Sequence, residues 1–502
     1  MTRTPGTTDS ATPEAPPPAA EGRAELRWWV LAVIGIAQLM VVLDSTIVNI
    51  ALPSAQGDLG FDDSDRQWVV TAYALAFGSL LLLGGRIADL FGRKVTFLVG
   101  LVGFAGASAL GGAAGSFEVL IAARAAQGLF GALLAPAALS LLTTTFTDPK
   151  ERAKAFSVYG SIAGAGGAIG LLLGGVLTEY LDWRWTLYVN IGFAVLALAG
   201  GTAVLGRTPR DKSATLDIPG TILVSAGLFC VVYGFSNAET HDWGSSSTVG
   251  FLVAGSVLLA LFTWWQTKAA HPVLPLRILA DRNRAASFLA ILISGAGMFG
   301  VFLFLTYYLQ RSIAYTPVET GLAFMPMVAA LMATSILANN VLLERIGPKP
   351  VVPAGMGIAA VGMVWMTTLD LSSSYVSHVM PQLLMVGAGL GLIMSPSMNL
   401  GTAGVAAHDA GAASATVNTM QQVGGSVGTA LLTTVAGSAA TDYLAGKNPA
   451  DPAVQAQASL DSYSAAYTWS AVFLLTGLVI SALLYRRGAP EHDADSAPVV
   501  HM

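Results

Sequence analysis

Gly85-Arg86-Ile87-Ala88-Asp89-Leu90-Phe91-Gly92-Arg93-Lys94 packs three cations, one acid and two glycines into ten residues between two long apolar runs. Its glycines permit a tight turn, and its cations are expected to hold that turn on the cytoplasmic side of a membrane. The composition around it agrees. The chain of 502 residues is 54% hydrophobic and only 11% charged, with a mean hydropathy of +0.63. A soluble protein carries about 25% charged residues, so most of this chain belongs in lipid.

A membrane span needs about 20 largely apolar residues, and about fourteen such runs follow one another between residues 29 and 486. They are continuous, so they read as helices, whereas a β-barrel needs alternating segments of about ten residues. The reading is an all-α membrane protein. Of the 25 Lys and Arg residues, Arg66, Arg184, Arg311 and Lys447 fall on one side, Arg124 falls inside a span, and the rest fall on the side of the N-terminus. That asymmetry predicts a cytoplasmic N-terminus, and an even number of spans returns the C-terminus to the same side. Residues 1–25 lack an apolar core and read as a disordered cytoplasmic tail; 488–502 reads as a second one.

The spacing of Gly85, Asp89 and Gly92-Arg93-Lys94 resembles the signature loop between the second and third helices of the major facilitator superfamily. An echo, Glu344-Arg345-Ile346-Gly347-Pro348-Lys349, follows the tenth run, as two related six-helix halves would require. Six and six leave two runs over. The expected organisation is an N-terminal bundle at 26–206, two inserted helices within 207–270, and a C-terminal bundle at 271–487.

Asp44, in Leu43-Asp44-Ser45-Thr46-Ile47-Val48-Asn49, is a carboxylate within the first span. Intramembrane acids are expensive, and a functional role is the default reading. The run resembles the first-helix motif of the fourteen-helix drug:proton antiporters of the EmrB/QacA type. Arg124, in the fourth span, lies at a similar depth by helix rise, so the two could pair directly or through water. Gln127 and Gly128 share its face. This run resembles the superfamily's fourth-helix motif, whose arginine is implicated in proton coupling. In the fifth span Gly166, Gly170 and Gly174 recur every four residues, with Gly175 beside them, leaving a nearly bare face for close helix approach. The run resembles the antiporter motif, read as a helix at the seam between halves. It departs at Gly170-Leu171, where those antiporters carry Gly-Pro. The proline-made kink is therefore not supplied, and symport stays open beside antiport.

Asp182-Trp183-Arg184-Trp185 lies at a membrane boundary, where Trp anchors are expected. Gln38, Asn49, Gln127, Tyr307, Asn418 and Gln421 are candidate cavity-lining residues, for which interhelical hydrogen bonding is an equal alternative. The single cysteine, Cys230, forms no internal disulfide. No Gly-x-x-x-x-Gly-Lys-Ser/Thr run marks an ATP site, no His-Glu-x-x-His marks a metal site, and the basic residues anchor loops and form no nucleic-acid face. The resemblance implies a bacterial plasma-membrane exporter, not an enzyme, that expels amphipathic or cationic drugs or antibiotics in exchange for protons. It would need no cofactor and is expected to be a monomer in the bilayer. Alternatives of the same fold are a dedicated metabolite exporter and a proton-coupled uptake symporter.

Overall fold

The computed structural model describes residues 19–61, 68–206, 217–238, 243–406, 409–448 and 450–488. The expected tails at 1–18 and 489–502, and the cations Arg3, Arg66, Arg207, Arg210 and Lys212, lie outside the described residues, as do the side chains of Arg23 and Asn49. In lipid, long apolar runs satisfy their backbone groups as helices, and each run found in the sequence is one. They are α1 (Ala19–Leu59), α2 (Trp68–Phe91), α3 (Arg93–Gly112), α4 (Phe117–Thr145), α5 (Pro149–Tyr180), α6 (Trp185–Val204), α7 (Ile218–Ala238) and α8 (Ser246–Gln266). Then come α9 (Arg282–Ser312), α10 (Val318–Ile346), α11 (Pro348–Met366), α12 (Tyr375–Thr402), α13 (Ala410–Leu444) and α14 (Pro452–Leu484). Among the described residues there is no strand. Helix α1 begins at Ala19, inside the stretch expected to be a disordered tail.

Local sequence sets several of the starts. Asp148 caps α5 with Pro149 in its first turn, and Asp451 does the same ahead of Pro452 in α14. Thr316 and Glu319 form a capping box around Pro317 at the start of α10. Side-chain oxygens accept from otherwise unpaired first-turn N–H groups, and proline there loses no helix bond.

The two halves repeat one pattern of neighbours. In the first half α1 packs on α5 and α6, α4 on α2 and α3, and α3 on α6. In the second, α9 packs on α13 and α14, α12 on α10 and α11, and α11 on α14. The same pairs recur six helices later, once α7 and α8 are set aside. Those two pack on each other, and α7 also touches α2 of the first half and α13 of the second.

The stretch expected as a loop at Gly85–Lys94 is mostly helix. α2 continues to Phe91, α3 starts at Arg93, and Gly92 alone makes the break with φ of 95°. Gly347 makes the corresponding break between α10 and α11 with φ of 75°. Both need the left-handed backbone region, which glycine enters without a Cβ clash. The face of the bundle carrying Gly92 and Gly347 is called the basic face below.

Candidate functional site

Asp44 is fully buried, and three donors converge on its carboxylate. Arg124 Nη1 donates to Oδ2 at 2.6 Å. Gln127 Nε2 and Asn190 Nδ2 donate to Oδ1 at 2.8 and 2.7 Å. The expected pair of α1 and α4 is therefore direct, and α6 completes it. Arg124 is held on its other sides: its Nε donates to the Val69 carbonyl at 3.1 Å, Nη1 also donates to Gln127 Oε1 at 2.8 Å, and its guanidinium lies 4.5 Å over the Tyr73 ring. Gln127 Nε2 reaches Ser108 Oγ on α3 at 2.8 Å. Five helices of the first half thus share one polar layer. A buried charge pair of this kind persists because hydrogen bonds satisfy both partners.

The layer divides the apolar interior. On its basic-face side lies a cluster with Met40, Val41, Phe77 and Leu101. On the other side lies a separate cluster with Ile47, Val48, Val69, Leu120, Trp183 and Leu187. That second cluster is closed by a clasp. Asp58 at the end of α1 pairs with Arg184 at 2.7 Å and accepts from the Trp183 indole at 3.2 Å. Arg184 also lies 4.5 Å over the Trp183 ring. The hydrogen bond from Arg184, then that from Trp183, holds the Asp58 carboxyl below its ordinary range. The clasp is thus fully formed above the ordinary carboxylate range and loosens only as pH falls through that lowered value. Of the two tryptophans expected as lipid anchors, Trp185 is exposed, whereas Trp183 is buried under this clasp.

The glycine face of α5 packs against α1 of its own half and not against the second half. A Cβ at Gly170 would lie 2.0 Å from Thr46 Oγ1, one at Gly166 2.7 Å from Val42, and one at Gly174 2.9 Å from Ile47; Gly175 is buried. Other residues of α5 meet the second half. Phe156 O accepts from Ser395 Oγ at 3.0 Å, Ser157 Oγ donates to Ser335 O at 3.2 Å, and a Cβ at Gly160 or Gly167 would touch Ser395 or Phe302. Despite Leu171, α5 bends by 43° between its Pro149–Gly167 and Leu172–Tyr180 parts. The bend is made without proline, in the stretch where bare glycines let α5 lie on α1.

On the basic face, Gly85 and Asp89 meet the first turn of α13. A Cβ at Gly85 would lie 2.6 Å from the Gly411 carbonyl, and one at Gly411 would lie 2.4 Å from Asp89 Oδ2. A carboxylate at a helix N-terminus is stabilised by the unpaired N–H groups there. Arg93 sits 3.5 Å from Asp89. Lys94 does not join this contact. Its Nζ donates to the Thr202 and Leu205 carbonyls, capping the end of α6 within its own half.

The candidate cavity-lining residues scatter. Gln127 belongs to the Asp44 layer. Gln38 is buried and accepts from Tyr159 of α5 at 2.7 Å. Asn418 is buried and donates to Ser414 O of its own helix. Gln421 is half-buried on α13. Tyr307 is exposed with Arg311 over its ring, while its neighbour Tyr308 turns inward and donates to Asp370 O. Sequence reading missed Asn190, Ser108 and Tyr73. Asn190 had a signal, as a lone amide in the apolar run from Leu187 to Ala199.

Residues 34–429 match the sequence profile of the Major Facilitator Superfamily. The chain is 47% identical over 484 residues to the puromycin resistance protein pur8 of Streptomyces alboniger, covering 96% of each chain. It is 37% identical to the cephamycin export protein CmcT of Amycolatopsis lactamdurans, over 89% of this chain and 90% of that one. It is 33% identical to the tetracenomycin C resistance and export protein of Streptomyces glaucescens, over 82% and 76%. Among solved structures, the human organic anion transporter MFSD10 superposes with a TM-score of 0.61 at 15% identity, over 91% of this chain and 99% of that one, a likeness of fold alone. With its repeated six-helix halves, its multi-pass architecture and these relatives, the chain belongs to the Major Facilitator Superfamily and is a membrane transporter, not an enzyme.

Proposed function

We propose that this transporter expels antibiotic-like small molecules across the bacterial plasma membrane in exchange for protons, with its basic face in the cytoplasm. The three relatives above, each matched over most of this chain, are named for antibiotic resistance or export, and the Lys/Arg asymmetry supports the orientation. The single observation that carries the coupling is the Asp44 carboxylate with three donors and no exposure. A proton on Asp44 removes the charge that holds Arg124, and one of the three donors loses its acceptor. Those bonds tie α1 to α4 and α6, so protonation favours a different packing of the first half. Ionised Asp44 holds the arrangement described here, in which Asp89 and Gly85 join α2 to α13 at the basic face. Protonation releases it toward a state open to the cytoplasm, and two conformations with different proton affinities suffice for exchange.

The relatives above are each named for one antibiotic, and puromycin is the first compound to test. Inverted membrane vesicles with an acidic interior should release protons when puromycin is added, and only when this protein is present. Silence toward puromycin, with proton release by lipophilic cations, would instead make it a multidrug pump. No proton movement with any compound, in vesicles shown to contain the protein, would overturn proton-coupled export.

A further inference from the structure

Two faces of α1 meet different surroundings. Val42 and Thr46 contact the glycine face of α5, the helix that borders the second half. At 3.6 residues per turn both lie about 160° around the helix from Asp44. Asp44 therefore points away from α5, and its donors come from α4 and α6. The carboxylate itself has no exposure.

On the side away from the basic face lies a cavity of about 10 Å³, close to the smallest that holds one water. Its walls follow the Asp44 layer helix by helix. Val48 is one turn beyond Asp44 on α1, Leu120 one turn before Arg124 on α4, and Thr186 one turn before Asn190 on α6. Val69, whose carbonyl accepts from Arg124, completes the wall from α2. Thr186 turns its hydroxyl to the Trp183 carbonyl at 2.6 Å, so the lining is largely carbon. Trp183 closes the far end, only 4% exposed, beneath water-facing Asp58 and Arg184. The charged groups at that mouth are Asp58, Asp182 and Arg184. At the inner end, Arg124 faces Asp44, and Tyr73 lies against Arg124.

We propose that protons reach Asp44 through the interior of the first half, by way of this cavity, and not through the space between the halves. The proposal rests on the proton-coupled reading above. A narrow carbon-lined cavity opposes water until side chains part, the way hydrophobic constrictions gate by dewetting. Trp183 and Leu187 are the gate. When it opens, a hydronium from outside gives its proton to an Asp44 oxygen: one O–H bond breaks, one forms, and a water remains. Arg124 keeps its charge throughout.

The test uses the full-length protein in liposomes, with puromycin as substrate and an internal pH-sensitive dye. Ala51→Leu fills the cavity and Leu187→Ala widens it, and each variant is first shown to bind puromycin. Ala51→Leu should slow puromycin-driven proton flux about tenfold, equal to about 1.4 kcal/mol in the barrier, and demand a more acidic exterior for half-maximal flux. Leu187→Ala should speed the flux at alkaline exterior pH, where protons are scarce. Should Ala51→Leu not fold, Leu187→Ala decides alone. Wild-type rates and pH dependence in the folded variants would overturn the route while leaving proton coupling intact. Absence of puromycin-driven proton flux in the wild type would overturn the coupled reading and the route with it.

Discussion

At the scale of residues, Asp44 and Arg124 are a buried charge pair in which neither partner tolerates the loss of the other. Arg124→Ala leaves a carboxylate in the interior with two amide donors and no counter-charge. Breaking a buried pair by removing one side costs roughly 3–5 kcal/mol. Thermal melting of the purified protein should show that loss, and the double variant Asp44→Asn with Arg124→Ala should lose less than the two singles together, because no charge then stays buried alone. The pair was legible in the sequence because intramembrane charges are rare. Of their partners, Gln127 was legible by its spacing from Arg124, whereas Asn190, Ser108 and Tyr73 are neutral polar residues of kinds that many membrane helices carry, and only packing shows that they face the pair. Lys94 was equally visible in the sequence, but its partners were not. It stands in a motif that joins the halves, yet its long side chain folds back onto the carbonyls at the end of α6.

At the scale of helices, α5 shows what glycines do without proline. Its small face lets it lie on α1 and bend by 43°, a bend that the Gly170-Leu171 sequence gave no reason to expect. The stripe marks a packing face, and spacing along one helix does not say which neighbour that face meets. A Cβ at Gly170 would sit 2.0 Å from Thr46 Oγ1, and the Leu43 carbonyl lies behind it at 3.3 Å. Gly170→Val must therefore push α1, and Asp44 with it, away from α5. Under the export proposed above, cells producing this variant should grow less well in puromycin than cells producing the wild type. Cells producing Gly192→Val should match the wild type, since a Cβ there meets nothing within 4 Å. Equal resistance in the two would show that the α1–α5 contact does not position the coupling site.

At the scale of the molecule, a shift of six helices, with α7 and α8 set aside, relates the helix pairs of one half to those of the other. The sequence echo that hinted at this was short, yet Gly92 and Gly347 make the same left-handed break in both halves, a backbone requirement that leaves glycine as its trace. The number of helices was legible because the bilayer fixes their length. The place of α7 and α8 was not, since apolar runs of similar composition carry no record of their neighbours; α7 in fact touches both halves. The halves are joined at the basic face by Asp89, Gly85 and the polar contacts of α5, while the Asp44 layer lies wholly within the first half. In the proposed exchange, coupling would pass from inside one half to its contact with the other. Asp44→Asn, which mimics the protonated side chain, tests that claim most directly, with puromycin movement measured in liposomes in two ways. The account predicts that accumulation driven by a proton gradient is lost while exchange of puromycin across the membrane without a gradient continues. Gradient-driven accumulation at the wild-type level in Asp44→Asn would contradict it.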